Sequence, residues 1–207
     1  MKSLKQKKII VLTGPSGAGK TEMQNYLLEN YSIDFCKFIT STTRPKRKTD
    51  KHKISYYFRQ LLRFKRMIEA KKFFEFEEVF PGGYYGCEYV ELERILKSKK
   101  VPSIVADVKG ALKFLGKVET DTIDLSKIEP IVFYIDCPIT EMIERIKKDN
   151  ESGKRNDTEE DLENRFKRMV FEINKKHHFD NIISNSGRHQ HLTGNELVNE
   201  IFKKIKN

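Results

Sequence analysis

The residues Gly14-Pro15-Ser16-Gly17-Ala18-Gly19-Lys20-Thr21 carry the densest chemistry in this sequence. They match the pattern of a phosphate-binding loop at every fixed position. Glycines let the backbone turn so that successive N–H groups converge on phosphate oxygens. A helix beginning at the end of the loop adds the positive end of its dipole. Lys20 suits contact with β- and γ-phosphates, and the Thr21 hydroxyl suits ligation of Mg²⁺. ATP with Mg²⁺ is the expected bound pair.

A second group lies in the next third of the chain. Thr40-Ser41-Thr42-Thr43-Arg44-Pro45-Lys46-Arg47 sets hydroxyls beside two arginines spaced by three, and Tyr56 and Tyr84-Tyr85-Gly86 follow. Arginine holds phosphate through a planar fork, and tyrosine adds a neutral hydroxyl. Such a set fits a phosphomonoester better than a long polyanion. The alternative is a basic surface loop beside core aromatics.

Those groups need rigid elements to hold them. Ile9 to Leu12 reads as a buried strand, and Lys20 to about Tyr31 as a helix with Met23, Tyr26, Leu27 and Asn30 on one face. The loop thus sits between a strand and a helix, as its chemistry demands. Further strands are expected at Phe38–Ser41, Ile104–Val108 and Ile131–Ile135, with a short one at Ile182 and Ile183. Helices are expected at Gln60–Ala70, Thr140–Lys148, Glu159–Lys175 and Asn195–Lys206, the third with a start signal in Asp157 and Thr158 followed by acids. Apolar runs alternating with helical patterns give an α/β fold around a parallel sheet. Two polar segments, Arg44–His52 and Asp149–Asp157, read as functional loops.

Composition bounds the function. With 207 residues the chain suits one core with insertions. There is no run of about 18 apolar residues, so no membrane span is expected, and the basic N-terminus is not followed by a signal-peptide pattern. Cys36, Cys87 and Cys137 lack zinc or redox spacing and read as free thiols of a reducing compartment, the cytosol. The formal net charge of +10 is compatible with attraction of polyanions, but for most lysines it reads more readily as a lysine-rich solvated surface. A GTPase would carry a later Asn-Lys-x-Asp motif, which is absent. A nucleic-acid-dependent ATPase would need an acid after an apolar strand; Asp107 and Asp136 both qualify, though the chain is short for such a motor.

Taken together, these motifs resemble guanylate kinase over nearly the whole chain. The carriers are the phosphate loop, Ser41 to Arg44 with Arg47, Tyr56-Tyr57-Phe58, Phe74-Glu75, Tyr84-Tyr85-Gly86, Asp107-Val108-Lys109-Gly110, and Thr158-Glu159-Glu160 with Arg165. The resemblance implies a P-loop nucleoside monophosphate kinase fold within one domain. The parallel-sheet core would be 1–37, 92–147 and 158–207, the acceptor-binding insertion 38–91, and the lid 148–157. It implies that Arg44, Arg47, Tyr56 and Tyr85 hold the acceptor phosphate and that Glu75 reads the base. Thr40, Cys87 and Asp107 would lie near the acceptor. Arg145, Arg155 and Arg165 would neutralise charge during transfer, and Asn185 would follow the last core strand.

The role of Glu75 also has a chemical argument. Guanine presents N1–H and N2–H₂ as adjacent donors, and a carboxylate accepts both. Adenine offers a lone pair at N1 instead, which would leave a buried carboxylate unpaired. Alternation does not decide whether Glu75 instead shares a solvated face with Glu77 and Glu78. The chain also departs from the family pattern. Val105 stands where an acid is usual, Cys87 replaces a serine or threonine, Asp50 replaces a glutamate, the loop Phe80–Gly83 is longer, and the segment Ser152–Arg155 is longer and more basic.

The expected activity is ATP-dependent transfer to GMP or dGMP, by a monomer or homodimer that needs neither nucleic acid nor membrane. The alternatives are a same-fold kinase for another nucleotide or a phosphorylated ribose, a nucleic-acid-dependent ATPase, and a non-catalytic interaction module.

Overall fold

A computed structural model describes residues 6–48, 50–116, 127–155, 157–187 and 190–206, with 190–192 described for the backbone only. Asn156, inside the expected lid, lies outside the described residues.

The core is a five-stranded parallel sheet. Its strands are β1 (Lys7–Thr13), β2 (Phe35–Lys37), β7 (Val101–Val105), β8 (Ile128–Asp136) and β9 (Ile182–Ser184), in the order β2-β7-β1-β8-β9. β1 is apolar at successive positions because both faces are covered. Ile10 and Leu12 enter one apolar cluster, Ile9 and Val11 the other. On the first face pack α1 (Lys20–Asn30) through Met23 and Leu27, α5 (Ile139–Glu151) through Met142 and Ile146, and α7 (Gln190–Lys206) through Leu197, Val198 and Ile201. On the second face pack α3 (Tyr89–Lys97) through Leu92 and Ile95, and α4 (Val108–Phe114) through Val108, Ala111 and Leu112. The helix α6 (Glu159–Asn174) starts with a capping box in which Thr158 and Asp161 satisfy each other's backbone N–H.

A smaller sheet has the order β4-β3-β6-β5, formed by β3 (Ser41–Thr42), β4 (Tyr57–Phe58), β5 (Phe73–Phe80) and β6 (Gly83–Glu88). The helix α2 (Leu61–Glu69) anchors it by stacking Phe64 on Phe73, with ring centroids 4.4 Å apart.

Three expected boundaries are corrected. The strand expected at Phe38–Ser41 is not one element, because residues 38–40 are where the chain crosses from the core sheet to the smaller one. Their amides find other partners: Phe38 N donates to Ser103 O at 2.9 Å and Ile39 N to Glu91 Oε1 at 2.8 Å. The strand expected at Ile104–Val108 instead occupies Val101–Val105, since Asp107 caps α4 by accepting from Gly110 N at 2.8 Å. The helix expected to end at Lys148 runs on to Glu151. Among the described residues no helix is long and apolar enough to cross a membrane.

Candidate active site

The phosphate loop leaves the C-terminal end of β1, where parallel sheets place ligands. Gly14, Gly17 and Gly19 have φ of 136°, 83° and 94°, conformations that L side chains rarely adopt. Space forbids substitution as well: a Cβ at Gly14 would lie 2.3 Å from Ile135 O, and one at Gly19 2.2 Å from Asn185 Nδ2. Asn185 in turn donates from Nδ2 to Ala18 O at 2.8 Å. Lys20 Nζ donates to Gly14 O at 2.7 Å and Pro15 O at 2.8 Å. Burial lowers its pKa, opposed by the nearby Glu172 carboxylate.

Two arginines flank this loop. Arg145 donates to Gly17 O at 3.4 Å, to Asn185 O at 3.1 Å and to Glu141 Oε2 at 2.9 Å. Arg165 donates from Nη1 to Ser16 Oγ at 2.9 Å and from Nη2 to Asp157 Oδ1 at 3.1 Å. Thr21 is exposed in the first turn of α1. Among the described residues no group of three or more His, Cys, Asp or Glu side chains could hold a metal. A single hydroxyl beside a phosphate cradle nevertheless fits Mg²⁺, which keeps waters and takes other ligands from bound phosphate.

The second cradle is built on the smaller sheet. Arg44 is buried and forks onto Asp50, with Nη1 2.7 Å from Oδ2 and Nη2 3.2 Å from Oδ1. Its guanidinium lies 4.9 Å from the Tyr56 ring centroid and 5.5 Å from that of Phe58. Asp50 also accepts from Arg47 N at 2.8 Å. Burial alone would raise the Asp50 pKa, but these bonds hold it below the ordinary value. The rings of Tyr56 and Tyr85 meet edge to face at 6.0 Å. Burial, then the charges of Arg155 and Arg44, lower the Arg47 pKa, and burial followed by Arg155 lowers that of Arg165. Like charge crowded in this way suits a bound anion. Arg165 therefore belongs to both cradles: it bonds Ser16 of the phosphate loop and faces Arg47, Arg155 and Tyr85 electrostatically. Arg155 is tied by Nε to Asp149 Oδ2 at 3.3 Å.

Glu75 is buried, with 7% of its surface exposed. The β5–β6 pairing shifts register between Phe73 and Glu75, so Phe73, Phe74 and Glu75 are all buried in succession. That bulge is why alternation in the sequence was ambiguous here. Burial first, and then the Asp107 carboxylate, raise the Glu75 pKa to about 8, against Lys113 and the Cys87 thiol, which lower it. The buried Cys87 thiol is itself pushed up by burial and by the Glu75 carboxylate.

The structure therefore gathers Gly14–Thr21, Arg145 and Arg165 in one place, Arg44, Arg47, Tyr56 and Tyr85 with Arg155 in a second, and Glu75, Cys87 and Asp107 in a third. Thr40 is buried in the crossing, and its carbonyl accepts from Tyr57 N at 2.9 Å. Sequence reasoning missed Arg168 and Glu172. Glu172 Oε2 accepts from Ser16 N at 3.2 Å, while its Oε1 accepts from Arg168 Nε at 2.9 Å. Arg168 Nη1 reaches Val79 O at 2.6 Å, and its Nη2 lies 3.6 Å from Asp107 Oδ2. One signal was available. Arg165, Arg168 and Glu172 share a helical face by spacing, and charges there mark a polar contact. Of the two acids considered for an ATPase, Asp107 caps α4, and Asp136 Oδ2 is paired with Lys176 Nζ at 2.6 Å.

Comparison with known proteins agrees with this geometry. The family model described as guanylate kinase matches residues 6–201. The guanylate kinase of Prochlorococcus marinus is 30% identical over 206 residues, covering 100% of both chains. That of Chlamydia felis is 36% identical over 119 residues, which span 58% of each chain. The crystal structure of guanylate kinase from Anaplasma phagocytophilum superposes with a TM-score of 0.66 at 25% identity, covering 99% of this chain and 88% of the other. With a parallel-sheet core, a phosphate loop after its first strand and a family match over nearly its whole length, the chain belongs to the guanylate kinase family.

Proposed function

We propose that the protein transfers the γ-phosphoryl group of ATP, bound with Mg²⁺, to GMP or dGMP. The observation that carries this reading is the position of Arg165, bonded to the phosphate loop and electrostatically coupled to the arginine–tyrosine cradle.

In this reading the loop from Gly14 to Thr21 holds the ATP phosphates. Lys20 exchanges its bonds to the Gly14 and Pro15 carbonyls for phosphate oxygens. Thr21 would hold Mg²⁺, which would supply charge neutralisation at the phosphates. Arg44, Arg47, Tyr56 and Tyr85 orient the acceptor phosphate, with Asp50 fixing the Arg44 fork. Thr40 supports the acceptor side from the crossing. Glu75, beside Cys87 and Asp107, accepts from guanine N1–H and N2–H₂. The acceptor oxygen is already anionic, so no strong base is required. Rate comes from positioning and from charge neutralisation by Lys20, Arg145, Arg155 and Arg165. Closure of a lid around 148–157 would exclude water and limit ATP hydrolysis. The reading is the same for a monomer or a homodimer. Three free cysteines support a cytosolic setting.

The test is a panel of nucleoside monophosphates with ATP and Mg²⁺, followed by coupled ADP release. GMP and dGMP are the expected acceptors. Equal turnover of AMP, CMP or UMP would overturn the guanine assignment, and turnover of none of the panel would overturn the kinase reading.

A further inference from the structure

Two other acids lie close enough to act on Glu75. Asp107, Glu77 and the buried Cys87 thiol all bear on it electrostatically. Cations reach the group from α4 and α6. Lys109 Nζ lies 3.6 Å from Glu77 Oε1, and Arg168 lies 3.6 Å from Asp107. Among the described residues the cation within ion-pair distance of Glu75 itself is Lys113.

Lys113 is placed there by helix geometry. α4 begins at the Asp107 cap, and its first turn presents Gly110 so closely that a Cβ there would lie 3.5 Å from Glu75 Oε1. Lys113 follows three residues on, hence on the same face. Its ammonium donates to Phe76 O and to Glu77 Oε2, each at 2.8 Å, and lies 3.7 Å from Glu75 Oε1. Two strong bonds to β5 thus fix a positive charge beside the carboxylate at the bulge.

We propose that Lys113 is a positioning residue for base selectivity: its fixed charge, 3.7 Å from Glu75 Oε1, opposes protonation of Glu75 and so favours the carboxylate, the form that accepts guanine. The inference rests on the reading of Glu75 as the residue that contacts the base. A carboxylate offers two acceptors to the two adjacent donors of guanine. A neutral carboxyl offers one donor and one acceptor. Its O–H would confront a guanine N–H, yet it complements the N1 acceptor and amino donor of adenine. Selectivity between these bases then depends on one proton, and Lys113 opposes its uptake.

The experiment compares kcat/KM for GMP and AMP from pH 6.5 to 9 in wild type, Lys113→Gln, Lys113→Arg and Glu75→Gln. Lys113→Gln keeps a donor for Phe76 O while removing the charge. Its GMP profile is expected to move upward by about one pH unit. On the rising limb that is about a tenfold loss, carried by KM with kcat retained, and the GMP-over-AMP preference falls with it. Raising the pH restores both, and Lys113→Arg behaves as wild type. A Lys113→Gln profile that superimposes on wild type, or a loss independent of pH, would overturn the proposal. Glu75→Gln is the control for the underlying reading: its GMP preference should collapse at every pH. If that variant still prefers GMP, Glu75 does not read the base and the proposal falls with it, whatever Lys113→Gln shows.

Discussion

Lys20 and Glu75 are ionisable groups held away from water, and each has a measurable consequence. Lys20 sits over its own loop with a pKa lowered by burial. Lys20→Ala is expected to abolish phosphoryl transfer, because no other described ammonium bonds that loop, while circular dichroism remains native. Near-normal turnover would refute the role. Glu75 carries a pH signature of definite sign. Its folded pKa of about 8 lies above its ordinary value of 4.5, so the folded state holds an extra proton between those limits. Its contribution to stability is complete below about 4.5 and is lost as the pH rises to about 8. Denaturant titrations should show that slope, and Glu75→Gln should remove it. If Glu75 accepts guanine as a carboxylate, the same proton must leave on binding. Calorimetry near pH 7 in buffers of different ionisation enthalpy should detect proton release on GMP binding, and zero release would contradict the assignment.

At the scale of elements, the phosphate loop is held from outside as well as by its own glycines. Asn185 after β9 fills the space beside Gly19, and Glu172 of α6 binds Ser16 N. Gly19→Ala combines a positive φ with a collision against Asn185 Nδ2. It should weaken ATP binding by tenfold or more, on the order of the 1.4 kcal/mol that such a factor represents, and equilibrium titration would measure it. The smaller sheet depends on the stack of Phe64 on Phe73, with Phe64 fully buried. Phe64→Ala should cost roughly 3–5 kcal/mol in chemical denaturation. A cost under about 1 kcal/mol would show that this contact does not anchor the sheet.

For the whole molecule, the two sheets are joined at the 38–40 crossing and at the β6–α3 junction, with Arg168 reaching from α6 to Val79 O and toward Asp107. The charges of Arg47, Arg155 and Arg165 bear unfavourably on one another. Bound phosphates would relieve that repulsion and favour approach of the two parts. A bisubstrate analogue should therefore decrease the radius of gyration in solution scattering, and it should do so less in Arg47→Ala. An unchanged radius would count against closure.

The sequence by itself determined the phosphate loop, the buried strand before it, the helix after it, the capped start of α6 and the alternation that makes the fold α/β. Each of these rests on local chemistry: glycine conformations, side-chain periodicity and caps depend on near neighbours in the chain. Only the tertiary structure decided that Glu75 is buried, because a bulge paired with β6 breaks the alternation that would have placed it. It likewise decided that residues 38–40 cross between sheets, since their amides are satisfied by Ser103 and Glu91, more than fifty residues away. The link from Ser16 through Glu172 and Arg168 to Val79 spans still greater separations. Such contacts leave almost no periodic trace, because the partners that define them are brought together by packing and not by spacing.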